Sequence, residues 1–236
     1  MTKRFLLLLA LGLTASTAAQ AQVVPGRFQV SVDGAWQQYA ESSALDDAPL
    51  AGVRGAFFLT RFLGIGAHVL AGRPWTRGEF FPYVRHSYLS SDETNDTTLL
   101  YVVDQRVTHI QVGLDATLRL ELGRLSPFAT VGFGRYRFFL DPDQVNGLED
   151  LAGAAYHYGG GFELQLGEAA GVRFGVLDQV LRDFDRDRFC VNCSGAMALL
   201  KEDRFPNPSP APPAKESTIH NLRFVGSFSF VPGGER

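Results

Sequence analysis

The chain has 236 residues, of which 45% are apolar and 20% charged, with 25 glycines, 19 phenylalanines, two cysteines and a formal net charge of -3. That balance excludes a disordered chain, a coiled coil and a disulfide-dense mini-protein. A mean hydropathy close to zero excludes a helical membrane protein with several apolar spans. A membrane β-barrel stays open, because alternating apolar and polar residues give it a soluble-looking composition.

Residues 1–21 read as a targeting segment. Lys3 and Arg4 precede the apolar run Phe5 to Leu13, and Ala19-Gln20-Ala21 forms a small-x-small cleavage site. The run is too short to span a bilayer, so a secretory signal peptide cleaved before Gln22 is expected, leaving 22–236 as one domain. Its removal takes Lys3 and Arg4 and no acid, so the mature chain becomes more acidic and does not suggest a nucleic-acid partner.

In chain order, a period of two marks eight strands. In the first, Phe28, Val30, Val32, Gly34 and Trp36 alternate with Gln29, Ser31, Asp33, Ala35 and Gln37. Further strands are expected near Leu50 to Leu59, Gly64 to Arg73, Arg106 to Leu122, Ser126 to Phe138, Ala154 to Leu166, Gly171 to Leu181 and Thr218 to Val231. In the fourth, Ile110, Val112, Leu114, Ala116 and Leu118 alternate with His109, Gln111, Gly113, Asp115, Thr117 and Arg119. A helix would scatter these two sets around its axis, whereas a strand keeps them on opposite faces. This fourth strand reads as long enough to project past an apolar layer on the loop side. The seventh is irregular: its apolar series Val172, Phe174, Val176 runs into Asp178, so either the apolar face ends there or a bulge changes faces.

Short and long connections alternate. Turns at Thr60 to Leu63, Gly123-Arg124 and Gly167-Glu168 are tight, while Tyr39 to Pro49, Pro74 to Gln105, Phe139 to Gly153 and Arg182 to Glu216 are long. In an up-and-down barrel this places every tight turn at one end and every long loop at the other.

Alternation alone does not say which face is outside. A soluble lipocalin-like barrel in the periplasm would bury the apolar face around a ligand, whereas a membrane barrel turns it toward lipid. Three features favour the second. The polar face carries Asp33, Arg54, His109, Asp115, Arg119, Glu121, Glu163, Arg173 and Arg223, expected as a polar network filling a narrow lumen. Glycines such as Gly113, Gly132, Gly134, Gly159 and Gly161 leave room for those side chains. Aromatic residues cluster near the loop end (Trp36, Tyr39, Trp75, Tyr136, Phe138, Tyr156) and the turn end (Phe57, Phe58, Phe128, Phe230), suiting two bilayer interfaces.

With the stretches Leu125 to Gly134, Gly159 to Leu166 and a terminal aromatic strand, the sequence resembles the small eight-stranded outer membrane β-barrel family typified by the OmpA transmembrane domain and OmpX. The resemblance spans about Val24 to Pro232. It implies an all-β, antiparallel, up-and-down transmembrane barrel in a bacterial outer membrane, a monomer whose partners are membrane lipid and any extracellular ligand or surface met by four long loops. Two departures stand out. The last aromatic, Phe230, is followed by Val231 to Arg236, and with no peptidoglycan-binding domain expected after the barrel the two-part anchoring role of full-length OmpA is not implied.

Chemistry-bearing motifs are few. Cys190-Val-Asn-Cys193 sits in the longest loop without the α/β surroundings of a redox site or further zinc ligands, so a local loop disulfide is the expectation. Asp183, Asp185 and Asp187 lack the glycine and distal glutamate of a calcium loop and are interleaved with arginines, so a solvated charged loop is expected. Phe205 to Pro213 reads as an extended spacer. No catalytic residue, metal or cofactor is expected. A structural or surface-interaction role is the reading taken, with a lipid-modifying enzyme, for which His220 beside Ser217 and Thr218 is the candidate, and a narrow channel as alternatives.

Overall fold

A computed structural model describes residues 26–77, 82–89, 96–102, 106–140, 150–167, 169–189 and 214–232. The segment 1–21, both cysteines and the proline-rich stretch lie outside the described residues. The strands are β1 (Phe28–Gln38), β2 (Ala48–Phe58), β3 (Leu63–Gly72), β4 (Pro82–Leu89), β5 (Asp96–Val102), β6 (Val107–Arg119), β7 (Leu125–Leu140), β8 (Leu151–Gln165), β9 (Ala170–Arg182) and β10 (Thr218–Phe230). Eight of them close a barrel in the order β1-β10-β9-β8-β7-β6-β3-β2. All neighbours run antiparallel, and β1 closes the ring against β10 with Val30 opposite Phe230 and Gln38 opposite Leu222.

The eight barrel strands coincide with the eight period-two segments. The additional pair, β4 with β5, is a separate hairpin inside the connection expected as a plain loop from Pro74 to Gln105. Its sequences, PYVRHSYL and DTTLLYV, have no regular apolar alternation, which is why period two does not find them. The longest strand is β7, of 16 residues, rather than the fourth barrel strand, β6, which stops at Arg119.

Alternation sorts the side chains as a lipid-facing exterior requires. Val32, Leu118, Val131, Phe133 and Phe174 are each at least 60% exposed, whereas Arg119, Arg223 and Asp33 are 1% exposed. Large apolar groups therefore point out and charges point in, the inverse of a barrel that holds an apolar ligand. Among the described residues no helix is long and apolar enough to cross a membrane.

The irregularity in β9 resolves without a bulge. Its pairing runs unbroken against β8 and β10, so Asp178 stays on the outer face and marks the upper limit of the apolar belt on that strand. On β7 the same limit falls at Arg135 and Arg137, above the outward Phe133.

Several aromatics assigned to the interfacial belts belong to the interior instead. Trp36, Trp75, Tyr156, Phe57 and Phe230 are exposed, but Tyr39, Tyr136, Phe138, Phe58 and Phe128 are buried. The reason is parity: in β7 the outward positions are Val131, Phe133 and Arg135, so Phe128, Tyr136 and Phe138 face the barrel axis. Thus the loop end of the interior is apolar rather than polar. Tyr39, Leu45, Val107, Tyr136, Phe138, Leu151, Leu181, Phe184, Phe189 and Ile219 form one buried cluster there. The loop segments after β1 and β9 supply Leu45, Phe184 and Phe189, the last at the end of a short 3-10 turn, Arg186–Phe189.

Candidate functional site

The interior is stacked in layers between the tight turns and this apolar plug. Nearest the turns, Arg119 on β6 donates from Nη1 to Glu163 Oε1 on β8 at 3.0 Å, and Gln29 Nε2 donates to the same oxygen at 3.2 Å. Glu121, just past β6 at the rim, lies 3.9 Å from Arg119 Nη2. The Arg119 guanidinium also sits 5.0 Å from the Phe58 ring centroid, and that of Arg173 3.6 Å from Phe128. The inward aromatics therefore hold arginines by their faces, which is favourable where the cation is desolvated.

The next layer joins β1, β2, β3, β6 and β8. Arg54 Nε lies 3.4 Å from Asp33 Oδ2 and its Nη1 3.8 Å from Asp115 Oδ1, ion pairs by distance that are not aligned as hydrogen bonds. His68 Nδ1 lies 3.1 Å from Asp115 Oδ2. The ring of His157 is 5.0 Å from that of His68, edge to face.

Above it, Arg223 on β10 is fully enclosed. Its Nε donates to Gln37 Oε1 at 2.7 Å, and its Nη2 donates to Gln111 Oε1 and Gln179 Oε1, both at 2.6 Å. Gln37 Nε2 donates to Gln179 Oε1, and Gln179 Nε2 donates to Gln111 Oε1, so the three amides also bind each other. His109 is the base of the plug: its Nδ1 lies 2.7 Å from Tyr39 Oη, and its ring stacks on Phe138 at 4.4 Å.

Of the residues singled out in sequence, Asp33, Arg54 and Asp115 come together, as do Arg119, Glu121 and Glu163. Arg173 lies over Phe128, Arg223 among glutamines, and His109 with Tyr39. His157, on the polar face of its strand like His109, reads from sequence as a lumen-filling hydrogen-bond partner, whereas His68 and the three glutamines are not singled out for the interior network. A signal for His68 existed: it shares parity with Gly64 and Gly66 on the polar face of β3.

Outside the barrel, His220 Nδ1 lies 2.9 Å from Asp178 Oδ2, and Tyr158 Oη donates to that same oxygen at 2.6 Å. All three are outward positions near the upper edge of the apolar belt. In the loop after β9, Asp185 pairs with Lys215 at 2.8 Å.

Comparison with known proteins agrees with this architecture. The crystal structure of Neisserial surface protein A superposes with a TM-score of 0.50 at 8% identity, covering 86% of this chain and 96% of that one. Ail, the attachment invasion locus protein of Yersinia pestis, in complex with a heparin analogue, gives 0.45 at 9% identity, with 88% and 100% covered. The N-terminal barrel domain of Pseudomonas aeruginosa OprF gives 0.41 at 12%, with 87% and 99% covered. No curated protein matches the chain. The family model described as the outer membrane protein beta-barrel domain matches residues 5–189. With its closed ring of eight antiparallel strands, apolar outside and charged inside, the chain belongs to the outer membrane protein beta-barrel domain family.

Proposed function

We infer that the protein resides in a bacterial outer membrane, with its tight turns toward the periplasm, and serves a structural or surface-interaction role through its long loops. The observation that carries this reading is the filled interior. Ion pairs at the turn end, the Arg223 cage above them and the aromatic plug at the loop end occupy successive levels of the barrel. A barrel of eight strands has room for side chains and none for a wide aqueous path. What remains available for contact is the loop end, where β4 and β5 form a hairpin separate from the barrel sheet.

Membrane fractionation with electrophoresis of boiled and unboiled samples tests the reading. Recovery in the outer membrane with a heat-dependent change in mobility is expected; release with the periplasmic fraction would overturn it. The Asp178–His220 pair favours a second reading, a lipid-modifying enzyme, because Nδ1 on a carboxylate leaves Nε2 to act as a base at the bilayer edge. That reading predicts a change in lipid A or phospholipid mass that disappears in His220→Ala, and an unchanged lipid profile with the wild-type protein removes it.

A further inference from the structure

We propose that His68, Asp115 and His157 form a binding site for a divalent transition ion of the zinc class at the waist of the barrel interior. One ligand atom from each lies within 4.8 Å of the others, and all three residues are buried. A tetrahedral ion with bonds of about 2.0–2.1 Å needs its ligand atoms about 3.3 Å apart, so small side-chain rotations close the site.

The backbone is arranged to bring these rings together. In register, Asp115 on β6 faces Gly132 on β7, which in turn faces His157 on β8, while His68 on β3 faces Gly113 on β6. A Cβ at Gly132 would lie 2.2 Å from His157 Cε1, and one at Gly113 would lie 2.9 Å from His68 Cε1. Each imidazole therefore lies across a glycine, and the two converge beside the carboxylate. His68 Nε2 and both ring nitrogens of His157 have no hydrogen-bond partner, although these residues are only 3% and 2% exposed. Orphaned buried nitrogens are costly, and coordination is one way to satisfy them. Arg54 is flanked by the carboxylates of Asp33 and Asp115 at 3.4 and 3.8 Å, and Arg173 also interacts with both, so the surrounding charges are balanced and the affinity rests on the three ligands themselves. Two imidazoles and a carboxylate suit zinc, nickel or cobalt rather than magnesium or calcium, and leave a fourth position for solvent.

The test uses the full chain refolded in detergent and equilibrated with Zn2+ or Co2+. One Zn2+ per chain is expected, with a visible d–d band for the Co2+ form and a higher urea midpoint in the presence of zinc. His157→Ala and Gly132→Ala, checked for heat-dependent mobility, should bind Zn2+ roughly tenfold more weakly or worse. His220→Ala, which removes the exterior histidine, should bind as the wild type does. No uptake by the wild type, or equal affinity in His157→Ala, overturns the proposal. Should the interior variants fail to fold, X-ray absorption of the wild-type zinc complex decides: two imidazoles in the first shell support the site, and a shell without imidazole overturns it.

Discussion

Arg223 shows how the interior tolerates a buried cation without pairing it to an acid. Its guanidinium is 1% exposed and meets three glutamine carbonyls drawn from β1, β6 and β9. Hydrogen bonds to a charged group are stronger than neutral ones, and the amides of Gln37 and Gln179 also donate to neighbouring glutamines, which joins the cage into one network. Gln111→Leu removes an acceptor from Nη2 while keeping volume. It should destabilise the barrel by about 1–3 kcal/mol, read as a lower urea midpoint in lipid vesicles. An unchanged midpoint would mean that Gln179 alone suffices for that nitrogen.

At the level of strands, the energetic discrimination lies between the two faces. Val131 is 60% exposed on β7, on the apolar stretch below Arg135, while its neighbour Thr130 points inward and meets Thr117 Oγ1 at 3.2 Å. Val131→Arg should cost about 2–4 kcal/mol in vesicles, because a cation on the lipid side has no partner there. Arg135 and Arg137 escape that cost by lying above the belt, where Arg137 pairs with Asp150 at 2.6 Å. The same logic pins register: a slip of one residue in β6 would turn Asp115 and Arg119 to lipid and Leu114 and Leu118 inward. The hairpin β4–β5 stands apart from this constraint, since among the described residues it pairs only with itself. Replacing residues 82–102 with a short flexible linker should leave the heat-dependent mobility intact, and its loss would show that the hairpin is needed for closure.

For the whole barrel, the two ends differ in kind. The turn end is held by Arg119 with Glu163 and by arginine–aromatic contacts, whereas the loop end is shut by an aromatic plug in which Phe138 touches Phe184 and Phe189 edge to face. Part of the buried apolar core thus lies inside the barrel, and loop residues complete it. Planar bilayers containing the protein should show no steady conductance, and a stable ohmic current would contradict a filled interior.

Much of this was legible in the residues themselves. Period two is a local property of a strand, so Phe28 to Trp36 or Leu222 to Phe230 declare an apolar and a polar face without reference to the rest of the chain. The tight turns at Gly123 and Gly167 follow from residues beside them, and from their alternation with long connections comes the up-and-down order. The aromatic belts were only partly legible, because a side chain near a strand end is assigned to lipid or lumen by parity within its own strand: Tyr136 and Phe138 are as aromatic as Trp36 yet face inward. The interior clusters could not be read at all. Gln37, Gln111, Gln179 and Arg223 lie on four strands, and His68, Asp115 and His157 on three. Which of them share a level is set by the stagger of neighbouring strands around the closed barrel, a quantity that exists only once β1 has met β10.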